Sequence, residues 1–104
     1  YKLNLMLKEP IFKKFLNNVK THMGLRVEEL FNRSKESRIV LGRQSLFLLC
    51  KERGLSITEI KDCLERHNYP TEWSSIDYGI KKAQQLRDED KDFETIYSKL
   101  NDID

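Results

Sequence analysis

Between Ile39 and Arg53 almost no polar face remains. Ile39, Val40, Leu41, Leu46, Phe47, Leu48, Leu49 and Cys50 would cover nearly every side of a helix. Such a helix has to be surrounded by others. A chain of 104 residues holds one core of that kind and not two. The remaining segments are therefore expected to pack around this one as a single domain, with Gly54 closing the central helix at its C-terminus. Its polar exceptions, Arg43 and Gln44, fall in one region early in the helix. For Arg43 the alternatives are an internal ion pair and a phosphate clamp.

The flanking segments carry helical periodicity. Glu9–Pro10 is expected to open a helix with Ile11, Phe12, Phe15, Leu16 and Val19 as its core stripe, ending near Gly24. Its outward lysines (Lys13, Lys14 and Lys20) and Asn17 are expected to be solvated. Before it, Leu3, Leu5 and Leu7 alternate, which fits a strand-like or frayed lead-in as well as a short helix. Val27, Leu30 and Phe31 mark a short inward-facing helix, and Asn32 to Arg38 is polar and basic without an apolar anchor, hence a loop. Near the C-terminus, the acidic turn Asp88–Asp92 leads into a helix with Phe93, Ile96, Tyr97 and Leu100 as its stripe. Acids in the first turn suit the helix dipole.

The stretch Ser56–Leu86 holds the remaining two helices. Ser56 and Glu59 form an S-x-x-E capping box, so the first begins there, with Ile57, Ile60, Cys63 and Leu64 inward. Asn68–Tyr69–Pro70 breaks the pattern, and the second helix begins near Thr71 or Trp73. Trp73, Ile76, Ile80 and Ala83 share its core sector. The opposite sector holds Thr71, Ser74, Tyr78, Lys81, Lys82 and Gln85, with Asp77 on the flank. Hydroxyls, an amide and positive charge on one face can meet base edges and phosphates. The pair reads as a helix-turn-helix or as an ordinary helical hairpin with a solvated outer face. In the turn, His67, Asn68, Tyr69 and Trp73 stand beside the second helix's start. There they can meet DNA, stack on an unpaired base or bind a protein, with Trp73 also fitting the core.

Several classes are disfavoured. No apolar run approaches a membrane span and no signal-peptide pattern is present. Cys50 and Cys63 lie in apolar helical contexts and are expected to be buried free thiols in a reducing cytosol. His22 and His67 have no ligand-spaced cysteines, so no metal is expected. There is no glycine-rich phosphate loop, no triad context and no carboxylate pair set beside a histidine or apolar pocket. Neither an enzyme nor a bound cofactor is expected. The net charge of +2 hides an asymmetry: residues 1–53 carry twelve Lys and Arg against five Asp and Glu, a net +7. Residues 54–104 carry seven against twelve, a net −5. A basic half beside an acidic half can orient a protein on a polyanion.

From Leu25 to Leu86 the chain resembles the C-terminal DNA-binding domain of the bacterial replication initiator DnaA. Val27-x-Glu29-Leu30, the basic loop and Gly42–Arg43–Gln44 are similar to that family's V-x-D-L, basic loop and A-R-Q. Ser56-x-x-Glu59-Ile60 with Leu64 resembles its S-L-x-E-I-G and following phenylalanine. Ser74–Ser75–Ile76, Gly79 and Lys82 fall where the family has T-T-V, alanine and lysine. The chain also departs from the pattern. Nine residues, Glu65 to Trp73, separate Leu64 from the paired hydroxyls, a longer turn than the family's. The family's Asp-His pair is Glu72–Trp73, its glycine is Lys61, and Glu36 and Ser37 dilute the basic loop. Lys35 best matches the family's minor-groove arginine.

The resemblance implies an all-α domain of about six helices with a helix-turn-helix, DnaA C-terminal or Trp-repressor-like. The expected layout is a lead-in over 1–24, a core over 25–87 containing the helix-turn-helix at 56–87, and an acidic helix over 88–104. Because the chain starts at Tyr1 without methionine, it is expected to be a piece of a longer protein. The function implied is sequence-specific binding of double-stranded DNA in replication initiation or its regulation, in the cytoplasm at the nucleoid. Arg33, Lys35 and Arg38 are expected at phosphate or the minor groove. Arg43, Gln44 and Ser56 are expected to clamp phosphates, and Thr71, Ser74, Ser75, Tyr78, Lys81 and Lys82 to face bases or flanking backbone. About six neutralised phosphates would give a salt slope near −5. The alternative is the same fold used for protein interaction with a replication partner or the rest of its own chain.

Overall fold

The computed structural model describes the backbone of residues 2–102 and the side chains from Lys8 to Asp102. The domain is all-α. Its six described helices are α1 (Lys2–Met23), α2 (Val27–Leu30), α3 (Ser37–Glu52), α4 (Ile57–Arg66), α5 (Trp73–Glu89) and α6 (Lys91–Leu100). Helix α3 is the axis, packed against α1, α2, α4 and α5, while α6 closes on α1 and α5. Leu46, Leu48, Leu49 and Cys50 have no exposed surface, as the all-round apolar pattern requires. The approach of α1 and α2 to α3 depends on Gly42. A Cβ there would stand 2.7 Å from Leu25 Cδ1 and 2.9 Å from Leu30 Cδ2, both inside the core.

Helix α1 does not open at Pro10 but runs through it from Lys2. Proline forgoes one helical hydrogen bond and crowds the preceding turn. Contacts just before it hold that turn helical. Lys8 Nζ donates to Gly54 O at 2.8 Å and pairs with Glu59 at 3.3 Å, and Glu9 pairs with Arg66 at 3.1 Å. The alternating side chains of Leu3, Leu5 and Leu7 lie outside the described residues. Beyond Pro10 the core stripe is the expected one, with Phe12, Phe15, Leu16 and Val19 buried.

Helix α4 begins at the expected capping box. Ser56 Oγ accepts from the Glu59 amide at 3.1 Å, and the Ser56 amide donates to Glu59 Oε1 at 2.8 Å. It ends at a six-residue turn, 67–72, where Asn68 takes a left-handed φ of 59°. Asparagine tolerates that conformation better than most residues. Helix α5 follows, with Ile76, Ile80 and Ala83 buried. Trp73 is not in that stripe: it is 51% exposed. As the first residue of α5 it stands where the helix leaves the turn, and Ile76 is the first side chain to reach the core. Ile96 on α6 is likewise exposed at 41%, while Phe93, Tyr97 and Leu100 form the buried stripe. Only Asp90 separates α5 from α6. Its Oδ1 caps α6 by accepting from the amides of Asp92 (2.9 Å) and Phe93 (3.1 Å). Cys50 and Cys63 are free and buried, as expected.

Candidate nucleic-acid interface

The loop joining α2 to α3 has no apolar anchor from Asn32 to Glu36, so polar contacts fix it. Within it, Asn32 Oδ1 accepts from the Ser34 amide at 2.7 Å and Ser34 Oγ from the Glu36 amide at 3.2 Å. From beneath, Arg43 reaches up out of α3. Its guanidinium donates to Leu30 O at 3.1 Å and to the carbonyls of Asn32 and Ser34. Arg43 is only 9% exposed. Among the described residues it is not one half of an ion pair, nor is it turned to solvent as a phosphate clamp; it satisfies one carbonyl at the end of α2 and two of the loop. A planar fork of donors suits that task.

The same loop is fastened to the α4–α5 turn. Arg33 Nη2 donates to Pro70 O at 2.7 Å, and its guanidinium lies 4.4 Å from the centre of the Tyr69 ring. Tyr69 is buried and stacks on Phe31 at 5.6 Å. His67 also turns inward, 5.3 Å from the Phe12 ring and 5.6 Å from Phe31. The two aromatic residues of the turn therefore build the core's edge, and Tyr69 also lines the cavity between the loop and α5. Sequence periodicity gives no sign of this clasp, because it joins two irregular segments 37 residues apart.

Between loop, α3 and the start of α5 lies an open cavity of about 560 Å³. Arg33, Arg43, Gln44, Thr71 and Ser75, all expected site residues, line it, as do Lys61, Glu72 and Gly79. A second hollow of about 210 Å³ continues along the α3–α5 seam past Gln44, Lys82 and Gln85. The seam is narrow at Gly79, where a Cβ would stand 3.0 Å from the Phe47 ring and 3.3 Å from Gln44 Cγ.

On the outer face of α5, Ser74, Ser75, Tyr78, Lys81 and Lys82 are exposed, as the helical wheel requires. Lys81 is shared with Asp77 at 2.9 Å. Lys82 has no acid partner among the described residues and lies 5.9 Å from the centre of the Tyr78 ring, a residue 59% exposed. Thr71 is half-buried and its hydroxyl donates to Tyr69 O at 3.0 Å, within the turn. Lys35 is exposed, with no hydrogen bond or ion pair among the described residues.

Two expected residues stand away from this face. Arg38 Nη1 donates to the carbonyls of Met23 (3.2 Å) and Gly24 (3.4 Å), closing the end of α1. Ser56 is engaged in its capping box and does not line the cavity. The α4 N-terminus already holds an anion, since the Ser56 amide, with Lys8 beside it, keeps the Glu59 carboxyl below the usual carboxylate range. Burial, with a hydrogen bond to Glu9, pushes the Cys63 thiol up to about 12, and burial also raises Cys50, so both thiols are protonated at neutral pH. No group of three or more potential metal ligands occurs among the described residues, and no described helix is long and apolar enough to cross a membrane.

No family model, curated protein or solved structure matches this chain.

Proposed function

We propose that this chain is a duplex DNA-binding domain of the DnaA helix-turn-helix type, diverged in its turn, that acts in replication initiation or its regulation. One observation carries the reading: the basic loop bearing Lys35 is fastened to the turn that opens α5, beside a helix face of hydroxyls and lysines. In this reading the first half of α5 enters the major groove. Ser74, Ser75 and Tyr78 approach base edges, Lys82 a phosphate, and Lys35 the adjacent backbone or minor groove. Gln44, on the wall of the seam, stands within the same footprint. Arg43 supports the interface from inside it.

Selection from a randomised duplex library tests the proposal. One short motif is expected to enrich, and Ser75→Ala is expected to weaken its preference by roughly 1–3 kcal/mol at the affected base pair. Enrichment without any motif, unchanged by Ser75→Ala, would contradict base readout through α5.

A second reading keeps the fold and turns it to a protein of the replication machinery. The exposure of Trp73 and Tyr78 favours it, since aromatic side chains are enriched at protein interfaces.

A further inference from the structure

We infer that Arg33 is a positioning residue, clasped on Tyr69 and Pro70 to set the reach of Lys35 relative to Ser74 and Ser75, and not a phosphate ligand. The inference rests on the DNA-binding reading for its consequence, while the clasp itself is a property of the unbound domain. The Arg33–Pro70 bond is the single hydrogen bond between the loop (32–36) and the turn (67–72) among the described residues. Its guanidinium covers one side of the Tyr69 ring, and Phe31, at the root of the loop, stacks on that ring. Arg43 approaches it as well, at 5.7 Å. Loop and turn thus meet around one aromatic ring.

The chemistry explains why arginine stands there. A guanidinium stacks on an aromatic plane and donates in that plane to a carbonyl at the same time, whereas an ammonium is a compact point charge that cannot do both equally well. The Tyr69 hydroxyl makes no hydrogen bond among the described residues, so the ring alone performs the task. Lys35 lies two residues beyond Arg33, and Ser74 four residues beyond Pro70. Fixing Arg33 on the turn fixes the separation of the two contacts along the duplex. A loop released from the turn would let Lys35 wander and blur the register between its contact and the one made by α5.

The test compares Arg33→Lys, Arg33→Ala, Tyr69→Leu, Tyr69→Phe and the Arg33→Ala/Tyr69→Leu pair in the same chain, each checked for native helicity. Duplex affinity is measured on the selected motif across a salt series, and amide hydrogen exchange of residues 33–36 is measured without DNA. Arg33→Lys, despite keeping its charge, is expected to lose as much affinity as Arg33→Ala, about tenfold, with the salt slope unchanged. Tyr69→Phe is expected to bind as the parent does, and the double variant no worse than the poorer single one. Loop amides are expected to exchange faster in Arg33→Ala and Tyr69→Leu. The inference is overturned if Arg33→Lys binds like the parent while Arg33→Ala lowers the salt slope by about one. If the parent binds no duplex, the DNA reading fails by itself, and loop exchange still decides the clasp. Unchanged exchange in Arg33→Ala and Arg33→Lys would remove it.

Discussion

Arg43 carries a buried positive charge and has no carboxylate partner among the described residues. Carbonyl dipoles from Leu30, Asn32 and Ser34 take that role, so the residue ties a polar loop to the central helix. Hydrogen bonds to charged donors are worth more than neutral ones, and truncation would leave part-buried carbonyls unanswered. Arg43→Ala is therefore expected to cost about 2–3 kcal/mol of folding stability in urea titrations. Unchanged stability would mean that the guanidinium is not holding the loop. The sequence marks Arg43 as exceptional by its place in an apolar helix. It does not say what the side chain reaches, because carbonyl acceptors are invisible in side-chain patterns. Trp73 failed in the opposite sense: its angle on the wheel fits the core, but a first-turn residue projects past the core's edge.

At the scale of elements, the six helices were legible because apolar spacing and the Ser56–Glu59 box are local signals. Pro10 misled, since contacts from Lys8 and Glu9 to residues of and just before α4 outweigh its local preference. The way the last helix is fastened was not legible. Glu52, at the end of α3, accepts from Arg87 of α5 at 2.7 Å and from the Tyr97 hydroxyl of α6 at 2.6 Å. Burial acts to raise the Glu52 carboxyl, but these two donors more than offset it and leave it below the usual range. A carboxyl depressed in the fold contributes stability that is complete above its unfolded pKa and is lost as pH falls through its folded value. Melting temperature is thus expected to fall as pH drops below about 4. Glu52→Gln is expected to melt lower at neutral pH and to show a shallower acid decline. An acid limb of unaltered steepness in Glu52→Gln would show that the three-helix junction does not depend on this charge.

Across the whole molecule, the basic first half and acidic second half survive folding only in part as a binding asset. Arg43 is buried beneath the loop, and Arg33 and Arg38, though exposed, each donate to backbone carbonyls of the domain itself. That leaves Lys35 and Lys82 unshared at the proposed interface, with Lys81 divided between solvent and Asp77. The expectation of about six phosphate contacts comes down to about two or three, and the salt slope from near −5 to about −2 to −3. On the proposed DNA-binding reading, base contacts then supply more of the affinity than in a strongly cationic DNA binder, which places the weight on α5. The measurement that tests this most directly is the salt dependence of binding to duplex DNA, for the parent chain and for Lys35→Ala. The expected log–log slope is about −2 to −3, becoming shallower by about one in Lys35→Ala. No duplex binding even at low salt, or a slope that Lys35→Ala leaves unmoved, would contradict it and turn attention to a protein partner.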